Sequence, residues 1–254
     1  MWKRQTVKDL SETYSKSIDW IRRTLDQSDT RKSVPLPAQE IVGVFDASHF
    51  GEDTLLVARS PVLKKNLGWT WIESETKEAY LALKQNIESR GHRIVAVILD
   101  GRQGIPRVFP DIPVQICQFH QMQIVRRKTT LRPESEAGQT LLKIALHLKD
   151  RTEIILSDEL NIWFETYGEF INQKTYILGT KRWRYTHRRI RSAYLSLKRN
   201  LPYLYTYQKY PELKIPNTTN CLDGYFSRVK NLLSAHRGKS KERVKKMITE
   251  ILRK

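Results

Sequence analysis

The chain has 254 residues, long enough to bury one large core or two smaller ones. Lys and Arg total 45 against 27 Asp and Glu, a formal net charge of +18, which makes a polyanion the expected partner: nucleic acid, with a membrane surface as the competing reading. Only two cysteines, Cys117 and Cys221, exclude a four-cysteine zinc ribbon, and neither a run of 18 apolar residues nor an apolar stretch behind Met1 is present, so the expectation is a cytoplasmic protein without membrane span or signal peptide.

Thr6 to Gln27 divides into two short amphipathic helices. Val7, Leu10 and Tyr14 recur at helical spacing, and Ser17 can cap a second helix whose Ile18, Ile21 and Leu25 share one face. The proportion is that of a helix-turn-helix, with Lys16, Arg22 and Arg23 facing a DNA groove; a plain helical hairpin is the alternative, since the turn carries no glycine. Ser28 to Glu40 is polar, holds Pro35 and Pro37 and reads as a linker, with a domain boundary near residue 35.

Three strand-like runs follow, Ile41 to Phe45, Thr54 to Arg59 and Leu67 to Ile72, joined by turns short enough to make them antiparallel neighbours. Glu75 to Arg90 predicts a helix with Tyr80, Leu83 and Ile87 on its inner face and Gly91 as its stop. The unbroken apolar run Val95 to Leu99 predicts a buried strand that ends at Asp100, and Val114 to Cys117 a further strand leading into a helix near Phe119. The fold class is therefore α/β, a mixed sheet with flanking helices.

IVGVFDASHF places Asp46 behind Val42, Val44 and Phe45, as Asp100 stands behind its own strand. A carboxylate at a strand exit can be a turn cap. Two on neighbouring strands can share a divalent cation, and a third acid completes a two-metal site suited to phosphodiester chemistry.

Arg126 to Pro216 turns mostly helical and reads as an all-helical insertion. Lys181 to Arg199 carries eight basic residues and no acid, interleaved with Trp183, Tyr185 and Tyr194. Lys181, Arg182, Trp183, Arg184, Arg188, Arg189 and Arg191 are the expected DNA contacts there, a solvated helix face being the alternative. Asn217 to Ala235 predicts a last long helix with Leu222, Phe226, Val229 and Leu233 inside and Asp223 near its start, before a basic amphipathic tail.

FDASHF around Asp46, ILDGRQGI around Asp100, the Cys117-x-x-His120 pair, RRIRSAYLSLKRNLPYLYTY and IPNTTNCLDGYFSRVKNLLSAHRG occur in this order. Together they resemble the Mutator-type transposases of bacterial insertion sequences, over residues 41 to 254. The resemblance implies a ribonuclease H-like core with an Asp, Asp, Glu triad, cleavage at the ends of the element and joining of the freed 3′-hydroxyl to target DNA. It implies Asp46 and Asp100 as ligands of two Mg²⁺ (or Mn²⁺) ions, with Cys117 and His120 as a signature pair beside them and His120 active in catalysis. Where the family pattern TTN-x-x-E has glutamate, this chain has Asp223, one methylene shorter. Asp223 is taken as the third ligand ahead of Glu165 and Glu169, its alternative being the acid of a capping box. Cys117 and His120 could also form half of a zinc site with Cys221 and His236, and Arg102, His187 and Arg237 are candidate phosphate contacts.

The domains expected are 1–34, helix-turn-helix and linker; 35–125, first part of the core; 126–216, insertion; and 217–254, last core helix and basic tail. The partners implied are double-stranded DNA, as terminal inverted repeats and as target, and further copies of the chain in a homodimer or larger homo-oligomer, in the bacterial nucleoid. A structure-selective nuclease on the same fold, and a DNA-binding derivative without catalysis, are the competing functions.

Overall fold

The computed structural model describes residues 5–27, 37–234 and 240–253; most of the expected linker lies outside them. Two helices, α1 (Val7–Tyr14) and α2 (Ile18–Gln27), lead the chain. Thr6 closes a capping box with Asp9, and Ser15 ends α1 in the left-handed conformation, so this boundary is set by local chemistry. Of the apolar face expected on α2 only Ile21 is buried; Ile18 and Leu25 remain 42% and 43% exposed. The end of α2 is tied instead to the C-terminal helix, where Lys246 Nζ donates to the carbonyls of Leu25 (3.2 Å) and Asp26 (2.6 Å) and Arg243 pairs with the Asp26 carboxylate. Cations on the last carbonyls of a helix also oppose its dipole.

Strands β1 (Glu40–Phe50), β2 (Asp53–Ser60) and β3 (Lys65–Ile72) form an antiparallel meander, then α3 (Lys77–Glu88) crosses over to β4 (Arg93–Leu99) and β5 (Val114–Ile116). The sheet order is β3-β2-β1-β4-β5, with β4 parallel to both β1 and β5. The mixed sheet with flanking helices is thus as expected. One boundary differs. β1 does not stop at Asp46 but runs on to Phe50, with Asp46 opposite Val57 and Phe50 opposite Asp53, because Gly51 at φ 67° closes a tight hairpin onto β2.

Both faces of the sheet are covered. Phe45, Leu56, Ala58, Val97 and Leu99 pack on Tyr80, Leu83 and Ile87 of α3 and on Ile105 and Phe109. The opposite face, with Val44, Val57 and Ile98, meets Leu222, Phe226 and Val229 of α9 (Asn220–Ser234) and Ile248, Ile251 and Leu252 of α10 (Lys241–Leu252). The predicted basic tail is therefore a core helix, since its apolar stripe closes that layer at about 1.5–3 kcal/mol per fully buried large side chain.

Between β5 and α9 lie α4 (Gln118–Thr129), α5 (Glu136–Leu146), α6 (Glu153–Asn172), β6 (Lys174–Tyr176), β7 (Trp183–Tyr185), α7 (Arg188–Leu204) and α8 (Thr206–Lys209). The insertion is not all helical. A two-stranded hairpin, β6 with β7, breaks it, turned near Gly179 at φ 75°. Tyr176, Trp183 and Tyr185 are strong strand formers, and Lys174 Nζ sits 4.1 Å over the Trp183 ring across the hairpin. The helices share a separate core around Trp163, Tyr194 and Leu197, joined to the sheet by buried amides. Gln121 Nε2 donates to Ser196 Oγ (3.1 Å), Asn200 Nδ2 to Gln121 Oε1 (2.7 Å), and Gln115 and Gln118 both donate to the Leu204 carbonyl (2.9 and 3.0 Å). α4 and α7 are thereby held in fixed register, with every amide involved finding a partner. No helix among the described residues is long and apolar enough to cross a membrane.

Candidate functional site

Val44 of β1 and Ile98 of β4 are paired in the parallel register and lie on the sheet face that α9 covers. Side chains alternate along a strand, so two residues after Val44, Asp46 lies on that same face of β1, while Asp100 stands one residue past the end of β4, the neighbouring strand about 4.8 Å away. Asp223, in the first turn of α9, approaches from the covering layer. Three acids remote in sequence are gathered because the apolar residues beside them, Val44, Ile98 and Leu222, belong to one core cluster.

Asp46 is only 8% exposed. Burial pushes its carboxyl up to about 7; the charge of His120 opposes this, and the carboxylates of Asp100 and Asp223 add to it. Glu165 and Glu169, the alternatives for third acid, lie exposed on α6 and are absent from the charges that act on Asp46. Each acid takes a local donor: Asp46 the Ala47 amide (2.9 Å), Asp100 the Arg102 amide (2.9 Å), and Asp223 the Thr219 hydroxyl (3.0 Å). Among the described residues no three His, Cys, Asp or Glu side chains are grouped so as to hold a metal ion as they stand. The acids are neighbours by topology and charge, each turned to its own donor.

Cys117 stands one residue past β5 as the N-cap of α4, where its sulfur accepts from the amide of His120 (3.5 Å). Cys117, expected as the last residue of the strand, is thus the cap that follows it. The Cys-x-x-His spacing is an N-cap and its third helical residue, so the fully buried thiol satisfies an amide that the helix leaves open. Burial acts to raise the thiol, and hydrogen bonds from His120 and Thr219 outweigh it and hold it below its usual range. His120 is drawn up to about 9, first by hydrogen bonding to Cys117 against the cost of burial, then by the charges of Cys117, Asp46 and Asp223. Its imidazolium therefore persists through neutral pH, with Nε2 3.9 Å from Asp223 Oδ1.

Thr219, which no sequence feature singles out, is the junction. It is wholly buried, with its hydroxyl 3.0 Å from Asp223 Oδ2, 3.3 Å from His120 Nδ1 and 3.4 Å from Cys117 Sγ, while its amide donates to that sulfur at 3.3 Å. With His120 protonated, Nδ1 donates to the hydroxyl and the hydroxyl to Asp223. Cys221, by contrast, is exposed, and His236 lies outside the described residues, so the chain supplies no described partner for a zinc site at Cys117.

The expected DNA contacts scatter. Lys16, Arg22 and Arg23 are exposed on the leading helices, with Arg22 3.4 Å from Asp19. Lys181, Arg182, Trp183 and Arg184 are exposed on the hairpin. Arg189 donates to the Arg127 carbonyl (2.6 Å), and His187 stacks on Phe170 with ring centres 3.6 Å apart. Arg102, Arg188 and Arg191 converge on one cleft between α4 and α7. Arg237 lies outside the described residues.

Gly101 fixes the turn behind Asp100. It sits at φ 86°, and a Cβ there would lie 2.8 Å from Ile116 Cγ2 and 3.3 Å from Asn200 Nδ2. Gly101→Ala is expected to cost about 2–4 kcal/mol from backbone strain plus overpacking, read as a lower urea midpoint with unchanged slope.

No protein-family model matches the chain, and no curated protein sequence does.

Proposed function

We propose that the chain is a DNA transposase of the DDE type on a ribonuclease H-like core, cutting at the ends of its own element and transferring the freed strand to target DNA. The observation that supports this reading is that Asp46 on β1, Asp100 one residue past the parallel neighbour β4, and Asp223 in the first turn of α9 are close enough for the last two to act electrostatically on the buried Asp46. The net charge of +18 supplies the matching partner.

The donor set suits a hard divalent cation. Burial and two neighbouring carboxylates raise Asp46 to about 7, so negative charge is crowded where a dication would relieve it, and the donors are oxygens as Mg²⁺ and Mn²⁺ require. Asp46, Asp100 and Asp223 would hold two such ions, which when bound supply the Lewis acidity that activates the attacking oxygen and steadies the leaving one. His120, protonated through neutral pH, places a positive N–H beside Asp223, where it can orient a phosphate oxygen or give a proton to the leaving oxygen. Arg102, beside Asp100 in sequence and 3.1 Å from Glu75, can meet the phosphate backbone. The exposed cations of α2 would serve terminal-repeat binding in the helix-turn-helix reading, and assembly of two or more copies would bring two element ends together.

The test is an end-cleavage and strand-transfer assay with Mg²⁺, on duplex DNA taken from the flanks of the chain's own reading frame. Cleaved and joined product from the parent, and none from Asp100→Asn, is the result expected. Equal product from both proteins would overturn the reading, and cleavage without joining would favour the nuclease. A DNA-binding derivative without catalysis is the second reading. The way Asp223 is engaged by Thr219 and faces His120 favours it, and DNA binding with no product from the parent would select it.

A further inference from the structure

A cleft of about 700 Å³ opens between α4 and α7 and begins at Gly101 and Arg102, the two residues after Asp100. Arg102, Arg127, Lys128, Arg188, Arg191 and Arg199 line it, and no carboxylate does. Of these six only Arg102 has an acidic partner among the described residues. Three of the others meet neutral groups: Lys128 donates to Ser192 Oγ (2.7 Å), Arg199 to Asn200 Oδ1 (3.4 Å), and the Arg191 guanidinium lies 4.1 Å over the Tyr185 ring.

Cations at the end of α4 suit the helix dipole and need no other explanation. Those on α7 do not. Arg188, Arg189 and Arg191 crowd a helix N-terminus that has no acid in its first turn, where positive charge is unfavourable, and such a local conflict marks function more often than stability. Between the basic walls, Ile124 and Leu195 give an apolar patch and Tyr185 a half-buried ring. Phosphate-binding cations on two facing walls with a ring and an aliphatic patch between them suit a strand whose bases are free to turn inward. A duplex presents its phosphates on a convex cylinder, which suits an open surface better than the facing walls of a concave cleft of this volume.

We infer that this cleft binds single-stranded DNA and guides an unpaired strand end to the Asp100 edge of the carboxylate site. The inference rests on the nucleic-acid part of the proposed function and not on catalysis.

Fluorescence anisotropy of a labelled 12-nucleotide single strand and of the duplex of the same sequence, both in EDTA so that no cleavage intervenes, tests it. Arg188→Ala with Arg199→Ala is expected to weaken single-strand binding about tenfold or more and to flatten the salt dependence by about 1.4 in log–log slope, two phosphate contacts at about 0.7 each, with duplex affinity changed less than about twofold. Lys143→Ala with Lys149→Ala removes the same charge from exposed positions on α5 and just after it and is expected to leave the single-strand slope in place. Circular dichroism and the urea midpoint confirm that both variants fold. Equal losses for single strand and duplex, no loss, or an equal effect of the control pair would overturn the cleft assignment. Single-strand binding through the cleft in a parent that cleaves nothing would overturn the transposase reading alone.

Discussion

Asp46→Asn is expected to abolish strand cleavage and, at the same time, to make the cation-free protein harder to unfold at neutral pH. In the proposed function, the loss of activity, about 10³-fold or more, would follow from removing a charged ligand on which the cations and reacting oxygens would depend. The gain in stability follows from where that charge sits. The Asp46 carboxyl rises from an ordinary 3.8 to about 7, mainly through burial. A group whose folded value lies above its unfolded one contributes stability that is fully present below about pH 4 and lost as pH rises through about 7. The difference amounts to at most about 4 kcal/mol. Asparagine keeps the acceptor for the Ala47 amide and stays neutral, so a gain of about 2–4 kcal/mol is expected in EDTA at pH 8, vanishing below about pH 4. Urea unfolding of parent and variant across pH 4 to 8 reads it. An Asp46→Asn protein less stable than the parent at pH 8 would mean that the carboxylate is already well solvated or paired.

Thr219→Val should act through geometry. Valine keeps the volume and removes the hydroxyl that lies against Asp223, His120 and Cys117. Asp223 then loses its donor and His120 its link to α9, and a loss of activity of about 10–100-fold is expected, as for groups that orient metal ligands from behind. Thr219→Ser retains the hydroxyl and should restore most of it. A purely structural role would instead give Val and Ser variants whose activities track their urea midpoints. Cleavage rates per folded protein separate the two.

How much of this was legible in the sequence differs by element. The strands that build the sheet, and α3 with its Tyr80, Leu83 and Ile87, follow from apolar periodicity, and those residues are the ones found buried. Asp46 and Asp100 are visible as acids at the ends of apolar runs, although β1 continues past Asp46, because the hairpin at Gly51 extends the pairing through polar Ser48 and His49 that no hydrophobic pattern marks. The β6–β7 hairpin hides for the opposite reason: its strands are three residues each, too short for a period, and Lys181, Arg182 and Arg184 in and beside them suit an exposed helix equally well. The Cys117-x-x-His120 pair could be read as metal ligands or as a signature, and its capping geometry emerges only once β5 ends at Ile116. Thr219 could not be singled out, since its three partners lie four, about a hundred and about a hundred residues away and are brought together by tertiary packing alone. The cleft cations Arg127 and Arg199 belong to basic runs legible as charge, and only the packing of α4 on α7, fixed by Gln121, Ser196 and Asn200, makes them face one another.

The account turns on whether the acids of β1, β4 and α9 bind divalent cations together. Titration of the parent with Mn²⁺, followed by calorimetry at pH 7.5, tests this most directly, beside Asp46→Asn, Asp100→Asn and Asp223→Asn. Saturable binding of two ions is predicted for the parent, weakened in all three variants, with each ion stabilising the parent by about 2.7 kcal/mol at a hundred times its Kd. No saturable binding in the parent, or binding that the three substitutions leave unchanged, would contradict it.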